Sequence, residues 1–148
     1  MDYTELISAF AERHAIAGCD ASEGKAVTLQ IDDMTVTLLH DETEARLLIC
    51  GEIGQPPADG AAAFAQTMLK ANFSAPDMVF AQNPETDAYA LICPKALDAL
   101  DVNALDAAFE AFANQLETWR TMLADFRVIA AEQPDAAASD APVDGIRV

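Results

Sequence analysis

The chain has 148 residues, 52% of them hydrophobic, and 25 Asp and Glu against 8 Lys and Arg give it a formal net charge of -17. No basic stripe is available to neutralise phosphates, which argues against nucleic acid and anionic membrane surfaces as partners. The longest apolar runs, such as residues 47–50, fall far short of the roughly 20 residues a membrane-spanning helix needs, and the start Met1-Asp2-Tyr3-Thr4-Glu5 lacks the charged and apolar regions of a signal peptide; a cytoplasmic protein with no membrane insertion is expected. High negative charge beside so much apolar residue suits a binder, because the charge keeps soluble a molecule that offers hydrophobic surface to a partner.

Residues 3–17 place Tyr3, Leu6, Ile7, Phe10 and Ile16 near helical spacing, with Glu5, Glu12 and Arg13 opposite, which predicts an amphipathic first helix stopped by Gly18. The period then changes to two. Val27, Leu29 and Ile31, then Met34, Val36 and Leu38, alternate with Thr and Gln on either side of Asp32-Asp33, the pattern of a β-hairpin. A third strand over residues 45–53, after a charged turn, completes an antiparallel meander. Gly54-Gln55-Pro56-Pro57 breaks the sheet, and the Ala-rich stretch 59–71, with Phe64, Met68 and Leu69 on one side, predicts a short second helix that Asn72 ends. Strands at 78–82 and 88–93 flank a turn-rich connector. Leu105, Phe109, Phe112, Leu116, Trp119, Leu123 and Phe126 recur at alternating intervals of 4 and 3, which predicts a long helix over residues 102–128 with Asp101 or Asn103 as its cap. The fold class is therefore α+β: helix, three-strand meander, helix, two strands, long helix. Residues 1–131 form one domain, and 132–148, rich in Ala, Asp and Pro, read as an acidic disordered tail.

Little in the chain points to chemistry. The six glycines form no phosphate-cradling or nucleophile-elbow pattern, so no catalytic residue and no cofactor is expected. Cys19, Cys50 and Cys93 make no CxxC pair and read as reduced, buried thiols, while Asp32-Asp33 and Asp41-Glu42 are too short for a calcium loop, so no metal site is expected either. His14 and His40 are read as structural; a small enzyme using His40 would need a carboxylate beside it in a concave pocket. The stripe of the last helix reads as core, with Trp119 alternatively at an interface.

The order and character of these segments resemble the class I type III secretion chaperones, the family that includes the chaperone of the translocated intimin receptor. The resemblance rests on YTELISAFAERHAIAG in the first helix, VTLQIDDMTVTLL and ARLLICGEI in the meander, MLKANF closing the second helix, AYALICPKAL in the last strand, and LDAAFEAFANQLETWRTML with its late Trp. It spans about residues 3–128. It implies a small cytoplasmic homodimer that is not an enzyme and holds the N-terminal chaperone-binding segment of a secreted effector in extended form, keeping it soluble and secretion-competent. It also implies dimerisation through the second helix and the strand after it, here Phe64, Met68, Leu69, Met78 and Phe80. A homodimeric adaptor of the same fold with a partner outside secretion is the alternative.

Both faces of the meander carry apolar residues. Leu39, Leu48 and Cys50 alternate with Met34, Val36, Leu38, Leu47 and Ile49, so a face not covered by helices needs a dimer mate or a client. The client is expected over the first helix and the meander, touching Tyr3, Ile7, Phe10, Leu29, Val36, Leu38 and Leu48.

Overall fold

Asp2 begins the first helix with a capping box: its carboxylate accepts from the Glu5 amide at 2.9 Å while the Glu5 carboxylate accepts from the Asp2 amide at 3.2 Å. The computed structural model describes residues 1–132, and the expected acidic tail lies, from residue 133 onward, outside the described residues. Helix α1 (Tyr3–Arg13) is followed by β1 (Val27–Ile31), β2 (Met34–Asp41), β3 (Arg46–Gly54), α2 (Ala61–Ser74), β4 (Val79–Gln82), β5 (Tyr89–Ala96) and α3 (Val102–Glu132), with short 3-10 turns at Ser22–Gly24 and Leu97–Ala99. The strands form one antiparallel sheet in the order β1-β2-β3-β5-β4. This is the α+β arrangement expected from the sequence.

Two local expectations need correction, and a third is resolved in favour of one of its alternatives. Helix α1 stops well before Gly18, because Ala15 turns left-handed (φ 52) and the Ala15 and Ile16 amides bond back to the Glu12 and Ala11 carbonyls, a Schellman ending. Asn72 does not end α2. Its side chain reaches β4, accepting from the Phe80 amide at 2.7 Å and donating to the Phe80 carbonyl at 3.3 Å, so it ties helix to strand while α2 continues to Ser74. Asp101 caps α3 by accepting from the Ala104 amide at 2.7 Å, whereas Asn103 accepts from Arg13.

All three helices pack on one face of the sheet. Every second strand residue points at them: Val27 and Leu29, then Met34, Val36 and Leu38, then Leu47 and Ile49, then Tyr89, Leu91 and Cys93 are buried in one cluster with the α1 and α3 stripes. Phe64 of α2 joins the same cluster by stacking on Tyr89 at 5.7 Å and meeting Trp119 edge-on at 6.1 Å. α3 approaches β3 closely because position 51 carries no side chain; a Cβ there would lie 2.5 Å from a Leu116 methyl and 3.2 Å from the Phe112 ring. Ile53, next in the alternation after Gly51, also faces inward, and a bulge between Glu52 and Gly54 follows where the strand ends.

Tyr3 fastens α1 to the sheet. Its hydroxyl donates to the Lys25 carbonyl at 2.8 Å and lies 3.2 Å from the Leu38 carbonyl, and its ring stacks on His40 at 4.6 Å. Burial, helped by the nearby Cys19 thiol, pushes the phenol from 10.0 up to about 12. The folded chain thus holds this proton more tightly than the unfolded chain. The resulting stability is fully present below pH 10 and is lost as the pH rises toward about 12. Urea midpoints measured between these limits should fall more steeply for the wild type than for Tyr3→Phe, and parallel curves would contradict this assignment.

Candidate protein-binding surfaces

The opposite face of the sheet carries no helix. Cross-strand register sets its side chains in rows: Leu39, Leu48 and Pro94 in one, and Thr37, Cys50, Ile92 and Val79 in the next. These residues are half-buried by their own neighbours, with Val79 41% exposed at the edge. Burial pushes the Cys50 thiol up to about 11, so it is a neutral, apolar member of the second row at neutral pH. Polar groups frame the stripe. Arg46 donates to the Asp41 carboxylate at 2.7 Å and holds that carboxyl below the usual range; Thr28 and Thr37 hydroxyls sit 3.3 Å apart; Glu52 marks the other border. The result is a two-row apolar strip on a sheet whose outermost strands, β1 and β4, each have one side without a strand partner among the described residues.

A groove of about 420 Å³ runs beside the β1 edge, walled by Phe10, His14, Ile16, Leu29, Ile31 and Phe109. Its end is pinned where α1 meets α3. Asp106 accepts from Arg13 at 2.6 Å and contacts the His14 ring at 2.7 Å; these bonds, that of His14 foremost, hold its carboxyl below the usual range. The arrangement can support an added strand, because the edge supplies backbone hydrogen bonds and the groove takes alternate side chains.

The outer side of α2 is the third surface. Leu69 is 66% exposed and Phe73 92%, one helical turn apart, and Val79 lies on the adjoining edge strand. Beneath the end of α2, a cavity of about 520 Å³ opens between Ala71, Met78, Phe80, Leu91 and Trp119.

These placements revise the expected sites. Tyr3, Ile7, Phe10, Leu29, Val36 and Leu38 are all buried, because α1 and α3 cover the face they occupy; six of the seven expected client contacts are core, and only Leu48 lies on the open face. Phe64 and Met68 are likewise buried within their own chain, while Leu69 is exposed and Met78 and Phe80 are half-buried. Ile92, on the open face, and Phe73, on the outer side of α2, are apolar surface residues not singled out from the sequence. Alternation along residues 88–93 could have flagged Ile92, whose neighbours Leu91 and Cys93 face inward. His40 stacks on Tyr3, and its nearest carboxylate, Glu42 at 3.9 Å, sits mostly in solvent, so the pair forms no enclosed pocket. Cys93 is buried and Cys19 and Cys50 half-buried, all three as free thiols.

No helix among the described residues is long and apolar enough to cross a membrane. A comparison with curated protein sequences gives no match. Among solved structures, the chain is similar to one described as the HopA1-SchA chaperone-effector complex (TM-score 0.69, 16% identity, covering 80% of this chain and 93% of that one). It is similar also to the ExsC-ExsE complex (TM-score 0.70, 22% identity, 83% and 97% covered). A third likeness is to the Yersinia pestis type III secretion chaperone SycH in complex with a stable fragment of YscM2 (TM-score 0.64, 16% identity, 79% and 98% covered). At these identities the likeness establishes the fold, a two-layer sheet with helices on one side. Residues 5–120, most of the length over which the helices and sheet are laid out, match the family model described as Tir chaperone protein (CesT), and the chain belongs to that family.

Proposed function

We propose that this chain is a type III secretion chaperone that works in the cytoplasm as a homodimer, binding the N-terminal segment of an effector and keeping it soluble and secretion-competent. The observation that carries this reading is the bare sheet face: Leu39, Leu48, Cys50, Ile92 and Pro94 form an apolar strip that the chain's own helices leave uncovered. An unfolded effector segment supplies what such a strip needs, apolar side chains on a backbone not yet committed to its own fold. The free β1 edge adds main-chain hydrogen bonds that do not depend on the client's sequence. The meander remains the element expected to hold the client, through its outer face rather than the inner one. The net charge of -17 keeps the chaperone soluble while that surface stands open. Binding of this kind is passive and needs no nucleotide or metal. The homodimer is supported by Leu69 and Phe73, exposed apolar side chains one helical turn apart on α2.

Co-expression with the N-terminal segment of a candidate effector tests the reading. Light scattering of the purified product should give two chains per segment, and the segment alone should be insoluble. A soluble segment that leaves the chain unbound and monomeric would contradict it.

A further inference from the structure

We propose that Phe73 of each protomer is the anchor of the homodimer, its ring seated in the cavity under the end of α2 of the partner copy, against Trp119; this rests on the homodimer reading above. Phe73 is the most exposed large apolar side chain among the described residues, at 92%. It cannot relax inward, because the Asn72 amide clamps the same helical turn to Phe80 of β4, fixing Phe73 on the outer side with Leu69. The cavity opens on the adjacent side of the same turn, so knob and hole lie on one patch. That is the arrangement a two-fold axis requires: each copy offers its ring and receives the other's.

Size and chemistry agree. A cavity of roughly 150 Å³ suffices for a benzene ring, and this one is about 520 Å³. Its lining combines the small residues Ala71, Ala75 and Ala111 with Phe80, Leu91 and the buried Trp119, beside the polar Ser74, Asp77, Asn114 and Gln115, so a phenyl ring meets apolar surface and an aromatic neighbour within a mixed wall. Charge permits the approach. Although the chain holds 25 acidic residues, residues 60–76 include none, and Lys70 is the one charged group on α2. Asp77 is the one charged residue in the cavity lining, so two copies that repel each other elsewhere bring few like charges together here.

Trp119 is the single tryptophan of the chain, so its emission reports on the cavity directly. Phe73→Ser removes the knob, and Ala111→Leu fills the hole from an exposed helical position; far-ultraviolet circular dichroism verifies that both fold. Each should weaken dimerisation about 30-fold or more in sedimentation equilibrium, as loss of a central aromatic anchor does. Diluting the wild type through its dissociation range should shift Trp119 emission to the red. An equimolar mixture of the two variants should regain dimer, because the knob of one still fits the hole of the other. If the wild type is a dimer and both variants dimerise equally well, the anchor assignment is wrong and the homodimer stands; if the wild type is a monomer, both fall.

Discussion

Replacing Gly51 by valine should destabilise the chain by about 3 kcal/mol or more, since overpacking a tight core costs typically 1–3 kcal/mol even for a few added atoms. β3 is the central strand, hydrogen-bonded on both sides, so it cannot retreat from α3. A Cβ alone would already stand 2.5 Å from Leu116, and valine adds two methyl groups against Leu116 and Phe112. For a chain of this size the cost corresponds to a fall of about 6–12 °C in melting temperature. Gly51→Ala should show a smaller version of the same loss. Combining either with Leu116→Ala should be less damaging than the sum of the single changes, because the truncated side chain vacates the colliding volume. A Gly51→Val protein that melts with the wild type would mean that α3 does not lie on β3 as described.

The second large effect is on binding. Leu48→Asp combined with Ile92→Asp puts two carboxylates into neighbouring rows of the open face, where a client would have to bury them. Uncompensated burial of even one such charge costs several kcal/mol, so affinity for the effector segment should fall at least about 100-fold. The fold should survive, because both side chains are only half-buried and the cost of Asp in a strand is on the order of 1 kcal/mol. Leu38→Asp, one residue from Leu39 but facing the helices, should instead unfold the chain. Equal client affinity in the double variant and the wild type would remove the open face from the account.

Periodicity carried most of the architecture. VTLQIDDMTVTLL alternates cleanly enough to give both strands and the turn at Asp32-Asp33, and the 4-3 spacing from Leu105 to Phe126 gives α3. Alternation also revealed that the meander is apolar on both faces. What it could not supply is which face the helices take, since Leu38 and Leu39 look alike to a pattern with period two. That choice is made by long-range fit: Gly51 admits α3 to one side, and Tyr3 pins α1 to the same side through the Lys25 and Leu38 carbonyls. The client contacts expected on Tyr3, Ile7, Phe10, Leu29, Val36 and Leu38 therefore fell in the core. Phe73 was missed for a related reason. Asn72 looks like a local helix stop, but its amide finds partners on Phe80, so the helix runs one more half-turn and projects a phenyl ring into solvent.

Methyl-resolved NMR of the chaperone bound to its effector segment tests the central claim most directly, because leucine, isoleucine and valine methyls lie on both faces of the same strands. Intermolecular contacts are predicted at Leu39, Leu48, Val79 and Ile92, with none at Leu38, Ile49, Leu116 or Leu123 beneath the helices. Contacts absent from the first group, with the segment bound elsewhere on the molecule, would contradict the assignment of the open sheet face as the client-binding surface.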